Sequence, residues 1–186
     1  MAEGYPVDIH SPTDDRGGVG DGYTTANIYQ IPYRSLLPAG LDDVLVAGDA
    51  AETTMNGLAW ISGDQHADNH TLIDNARPGC PSHELYKHIL SGKASGVFRG
   101  KILVRQVAQK TNSKQTSKSL LLSDDAYMNS QPALEIYADD VKCTHGSTVG
   151  PVDEDMMFYF RTRGVGKQQA RDLLTYAFAA DITRRI

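Results

Sequence analysis

Cysteine is scarce in this chain: Cys80 and Cys143 are the only two among 186 residues. Residues 1–10 show neither a basic n-region nor an apolar h-region, so no export signal is expected. Free thiols in a reducing, cytoplasmic setting follow from that. Long apolar runs are missing as well. No stretch approaches the roughly 20 residues of a membrane span, and 22% of residues are charged, so no membrane partner is expected. There is no P-loop, no Ser-His-Asp arrangement and no paired-carboxylate pattern. Gly17-Gly18-Val19-Gly20-Asp21-Gly22 has the glycines of a dinucleotide fingerprint without a strand before or a helix after, and reads as a loop. Positive charge is not in excess. The net charge is −5, and residues 1–48 account for it, with seven acidic side chains against two basic ones. The basic spacing Arg99, Lys101, Arg105, Lys110, Lys114, Lys118 is explained by a solvated sheet face without any nucleic acid.

What is present falls into three zones. Residues 1–48 open with a loop rich in Gly, Asp and Pro at 11–23. A short extended piece follows at 28–34, then an apolar run at 44–47 that resembles a buried strand. Residues 49–150 are written in short extended segments, at 56–61, 65–73, 96–104, 119–122 and 134–141, separated by Gly-Asp, Pro-Gly, Ser-Gly and Ser-Asp-Asp breakers. Residues 82–91 have room for a helical turn or two. The fold class is therefore mainly β, with sandwich, barrel and solenoid as the choices. The polar run Lys110-Thr111-Asn112-Ser113-Lys114-Gln115-Thr116 suits stacked solenoid rungs better than a sandwich core, although no strict repeat period is visible. Residues 151–186 change register. Asp153-Glu154-Asp155 marks a helix start, Met156, Met157, Phe158 and Phe160 follow, and Arg161, Arg163 and Gly164 close it. A second helix from about Gly166 places Ala170, Leu173, Leu174, Ala177, Phe178 and Ile182 on one apolar stripe.

Cys143-Thr144-His145 follows the alternating run at 134–141 in a stretch ending at Gly146. On a strand, residues two apart share a face, so a thiolate and an imidazole would stand side by side, roughly 6–7 Å apart at Cα. Both bind iron, zinc or copper. Two ligands are half a site, and a buried cysteine beside a hydrogen-bonded histidine is the plainer alternative. His66, Asp68 and His70 also share a face, but His66 and His70 are about 13 Å apart on a straight strand. A hydrogen-bonded ladder between rungs fits them better than one ion. His83 and His88 fall in what reads as a surface segment, and Cys80, between Gly79 and Pro81, as a turn residue.

Five segments resemble the SufB/SufD family of iron–sulfur cluster assembly proteins. They are Ala51-Glu52-Thr53-Thr54-Met55-Asn56-Gly57-Leu58, Asp64-Gln65-His66-Ala67-Asp68-Asn69-His70-Thr71, Gly96-Val97-Phe98-Arg99-Gly100-Lys101-Ile102, Leu120-Leu121-Leu122-Ser123-Asp124-Asp125-Ala126 and the stretch 134–146 ending in Cys143-Thr144-His145-Gly146. Phe158-Tyr159, Arg163-Gly164 and Tyr176-Ala177-Phe178-Ala179 resemble the family's C-terminal helices. The likeness runs in order over residues 49–186 and is closer to the SufD member.

The resemblance implies a right-handed parallel β-helix, truncated here because the family's N-terminal helices and first rungs are missing, followed by a small C-terminal α-helical domain. It implies a non-enzymatic scaffold that pairs with a SufB-like subunit and docks a SufC-like ATPase on its helices; a homodimer is a further candidate. His145, with Cys143 beside it, would face a transient iron–sulfur cluster at the subunit interface, no cofactor being held by this chain alone. Met157, Phe158, Leu173, Leu174 and Phe178 would form the ATPase-docking face of residues 151–186. Residues 1–48 instead resemble a late segment of an FAD-dependent oxidoreductase, through Gly4-Tyr5-Pro6-Val7-Asp8-Ile9-His10, Tyr29-Gln30-Ile31-Pro32-Tyr33-Arg34-Ser35-Leu36-Leu37-Pro38 and Leu45-Val46-Ala47-Gly48. That pattern stops at Gly48, so FAD binding is not expected. The chain reads as a hybrid. An inert hybrid fragment and a flavoenzyme remnant are the competing readings.

Overall fold

The computed structural model describes the backbone of residues 41–47 and the whole of residues 52–184. Nine strands and two helices run along them in order: β1 Leu41–Ala47, β2 Thr53–Ile61, β3 His66–Asn75, β4 Ser82–Leu90, β5 Ser95–Val104, β6 Asn112–Leu121, β7 Tyr127–Ser130, β8 Ala133–Ile136, β9 Lys142–Pro151, α1 Glu154–Thr162 and α2 Lys167–Thr183. One sheet has the order β1-β3-β5-β7, with β8 also on β5, and the other β2-β4-β6-β9. Every pairing is parallel. The chain alternates between the sheets and each circuit stacks on the last, making a parallel β-solenoid of about three turns. The apolar run at 44–47 lies in β1, which pairs with β3 and so forms part of the stack. The loop at 11–23 and the flavoprotein-like motifs at 4–10 and 29–38 lie outside the described residues.

Alternation decides which side chains enter the solenoid. On β4, Ser82, Glu84, Tyr86, His88 and Leu90 all point inward and are buried. No helical turn forms at 82–91. Flanking strands on both sides satisfy this backbone, and tertiary pairing overrides a local preference. His88 is accordingly not a surface residue but 1% exposed. The strand expected over 134–141 ends at Ile136. Asp139 and Asp140 form a bend, as short acidic side chains favour, and Cys143-Thr144-His145 starts a new strand, β9. Cys80 sits just past the Pro78-Gly79 turn but is fully buried, its thiol donating to the Pro78 carbonyl at 3.6 Å.

Two apolar clusters fill the interior. One gathers Ile61, Ala67, Tyr86, Leu90 and Phe98, and the other Ile73, Ile102, Val104 and Ala108. Along β3, Asn69 and Thr71 come between Ala67 of the first and Ile73 of the second, so a polar layer separates them. In it the Glu84 carboxyl accepts from the Thr71 hydroxyl and, at 2.6 Å, from Gln115 Nε2. Such partners are what make a buried polar group tolerable. His88 Nε2 lies 3.2 Å from Asn69 Oδ1, and burial pushes its pKa down to about 4. Glycine makes room for this packing. A Cβ on Gly57 would sit 2.6 Å from Cδ1 of the Tyr86 ring, and one on Gly100 would sit 3.0 Å from Cδ of Gln115.

Asp153 caps α1, its Oδ1 accepting from the N–H groups of Asp155 and Met156, with Glu154 and Asp155 in the first turn. Gly164, at φ 82°, turns the chain toward α2, where Gly166 is the N-cap. Both helices form where the sequence predicts them. Helix α2 lies on the outer face of the second sheet, where Ala179 and Phe178 meet Ile89 and Leu120. Lys87 fastens it there. Its side chain is 4% exposed, and Nζ donates to the Phe178 carbonyl at 2.7 Å, pairs with Asp181 at 3.0 Å and lies 4.5 Å from the Phe178 ring centroid.

Two outcomes follow for stability. Gly57→Ala drives a methyl into a packed ring, and urea unfolding should show a loss of about 1–3 kcal/mol; an unchanged midpoint counts against the close approach. His88 gives a pH dependence. The unfolded chain protonates this histidine near 6.5 and the folded chain only near 4. Its contribution is therefore complete above pH 6.5 and lost as pH falls toward 4, by at most about 3 kcal/mol. In His88→Gln the loss over that window should shrink by most of this amount, and equal pH profiles for the two proteins would remove the assignment.

Candidate functional site

Strand β9 closes the second sheet, and among the described residues no strand pairs with its outer edge. Cys143 pairs in register with Ser113 and His145 with Gln115, both of which are buried and inward-facing. Cys143 and His145 thus share the inward face, as their spacing predicts. With no further rung above them, that face opens toward solvent. Cys143 remains half-buried against the Ile73 and Ile102 cluster, while His145 is exposed and has no hydrogen-bond partner among the described residues. Burial pushes the Cys143 thiol up, and a backbone hydrogen bond from Ser113 partly opposes it. The protonated thiol is therefore favoured at neutral pH, and an approaching metal must displace that proton to bind sulfur.

No group of three or more His, Cys, Asp or Glu is arranged to hold a metal among the described residues. The pair on β9 can donate one sulfur and one nitrogen to a metal held jointly with another molecule. The expected ladder is only partly present: His66 Nδ1 meets Ser95 Oγ at 2.7 Å, one rung on, whereas His70 Nε2 meets Asp68 of its own strand at 3.0 Å. The basic spacing is dispersed in the same way. Arg99 bonds Gln131, Lys101 pairs with Glu135, Arg105 grips Asp74 with two nitrogens, and Lys110 pairs with Asp140. Three of these six cations, Lys101, Arg105 and Lys110, are paired with carboxylates, which leaves less free positive charge for tracking a phosphate backbone.

The helix pair presents an apolar outer face. Phe158 is 67% and Leu173 44% exposed, with Met156, Tyr159 and Tyr176 also open to solvent. Met157, Leu174 and Phe178 are half-buried, and Phe178 is committed to the Lys87 contact. No described helix is long and apolar enough to cross a membrane.

Comparison with known proteins bears on this arrangement. Residues 27–178 match the family described as SUF system FeS cluster assembly, SufBD core domain. The chain belongs to the SufB/SufD family. It is 40% identical over 139 residues to the iron–sulfur cluster assembly protein SufD of Escherichia coli, covering 75% of this chain and 33% of that one. A SufBD family protein of Synechocystis is 41% identical over 138 residues, covering 74% and 30%. One of Mycobacterium leprae is 33% identical over 152 residues, covering 77% and 39%. The chain thus spans about a third of the length of these relatives, and within the family it is SufD-like. The SufBD match starts at residue 27, inside the zone with flavoprotein-like motifs.

Sequence reasoning missed the interior partners of the SufD-like pair. Ser113 and Gln115 lie beneath Cys143 and His145, and Ser82 and Glu84 lie beneath those. The available signal was spacing: Thr53, Ser82, Ser113 and Cys143 follow at intervals of 29, 31 and 30 residues. The raised thiol pKa gives a test. Alkylation of Cys143 by iodoacetamide, followed by site-resolved mass spectrometry, should still be accelerating above pH 9. A plateau below pH 8 would instead indicate a thiolate already formed at neutral pH.

Proposed function

We propose that this chain is a scaffold component of a SUF-type iron–sulfur cluster assembly complex. In this reading the β9 edge pairs with a SufB-like subunit, and the helix pair docks a SufC-like ATPase. The observation that carries it is Cys143 and His145 standing side by side at the open last rung of a SufBD core. An unpaired strand edge recruits another chain through its backbone N–H and C=O groups. A neighbour seated there could complete the ligand set of a nascent cluster, which is cargo of the assembly and not a resident group. The exposed Phe158 and Leu173 supply the desolvated anchors that a partner interface uses. The scaffold does no bond chemistry of its own. It orients ligands and lends its surface to an ATPase.

Co-expression with SufB-like and SufC-like proteins tests this. His145→Ala should leave the complex intact and slow cluster formation at least tenfold, read by visible absorption under anaerobic iron and sulfide supply. Phe158→Asp should abolish co-purification of the ATPase while the chain stays folded. Normal cluster formation by the His145→Ala complex would return His145 to a structural role.

A further inference from the structure

Two polar groups with no partner lie on consecutive rungs of one inward column. Gln115 is fully buried, yet its Oε1 accepts no hydrogen bond. Its register neighbour on β9 is His145, which has no hydrogen-bond partner among the described residues. Leaving a buried carbonyl oxygen unpaired costs about 1–3 kcal/mol. On the β9 side the register partner of Gln115 is His145, whose ring N–H can donate. Gln115 Oε1 and the exposed His145 ring one rung on are not hydrogen-bonded to each other in the structure, so the bond forms when that ring turns inward.

The amide cannot simply turn over. Glu84, one rung below, already accepts from the Thr71 hydroxyl, and Gln115 Nε2 donates to its other oxygen at 2.6 Å. A carboxylate offers only acceptors, so Nε2 must face Glu84 and Oε1 must face away from it. Gly100 leaves the space for this head group, since a Cβ there would meet Gln115 Cδ at 3.0 Å and Phe98 Cζ at 2.7 Å.

We propose that Gln115, fixed by Glu84, is a positioning residue that accepts the ring N–H of His145 and so selects one tautomer of its imidazole. The other ring nitrogen is then left with its lone pair directed at the open rung. A carbonyl behind a ligating imidazole is the arrangement that fixes ring orientation and raises ligand basicity. The column Thr71–Glu84–Gln115–His145 thus runs from a buried carboxyl to the solvent edge. Its consequence for cluster binding rests on the assembly role proposed above; the hydrogen bond itself does not.

Two-bond 1H–15N correlation NMR on the full chain, at a pH well above the ordinary histidine pKa, reads this directly. Wild type should show His145 as a single tautomer with a slowly exchanging ring N–H. Gln115→Met keeps the length of the side chain and removes the acceptor, and should give a tautomer mixture with fast exchange. Glu84→Gln, which lets the Gln115 amide face either way, should give an intermediate pattern. A solvent-like tautomer mixture in the wild-type chain overturns the proposal without reference to any variant. So does an identical pattern in wild type and a folded Gln115→Met. In the co-expressed complex, Gln115→Met should slow cluster formation about tenfold, and should cause no further slowing when introduced into the His145→Ala chain. Should the NMR result hold while His145→Ala builds clusters normally, the hydrogen bond stands and the assembly role falls.

Discussion

Parallel, in-register backbone pairing between one circuit of chain and the next is the constraint on which the molecule depends. It places residues about 30 positions apart directly above one another, so each inward position becomes a column through the stack. A column cannot be filled rung by rung independently. Large side chains on one rung need small ones above or opposite, which is why Gly57 lies against the Tyr86 ring and Gly100 against the Gln115 amide. Polar residues must likewise find partners in their own column or in the facing sheet. Ser82 meets Ser113 at 2.5 Å, and Glu84 meets Gln115.

The same constraint accounts for the chemistry at the open end. Inward residues on internal rungs are buried by the rung that follows. On β9 nothing follows among the described residues, so Cys143 and His145 occupy interior positions with solvent access. They combine the fixed orientation of core residues with the reach of surface ones. Two such donors fall short of a self-contained metal site, which needs three or four that converge.

Outside the solenoid, charge does the fastening. Lys87 is an outward residue that would be solvated on a bare sheet; covered by α2, it holds the helix by a carbonyl, a carboxylate and an aromatic face at once. A buried cation left without such partners would cost several kcal/mol. Pairs such as Lys101 with Glu135 join successive rungs on the open surface, where screening keeps each one weak. The apolar residues of the helix pair that face away from the sheet have no comparable role within the described chain.

Much of this was written locally. The α1 cap at Asp153, the turn at Gly164 and the position of α2 depend on neighbours within a turn or two, and a sequence carries such signals directly. The alternation that puts Cys143 and His145 on one face is equally local, because side chains on any strand alternate. The face that α2 buries is not local in this way: Thr175, Ala179 and Ala180 are covered while Leu173 and Ala177 of the expected stripe are exposed. Residues 82–91 misled because a strand filled with Ser, Glu, Tyr and His acquires its identity only from the strands on either side. For the same reason His88 looked like a surface histidine. The column beneath His145 left only a spacing of about 30 residues between unlike side chains, which no search for repeated letters detects. The chain alone therefore determined its helices, its mainly extended character and the pairing of thiol with imidazole. Stacking decided which polar side chains are buried, which oxygen is left without a donor and where the solenoid opens, because those depend on contacts between residues a full circuit apart.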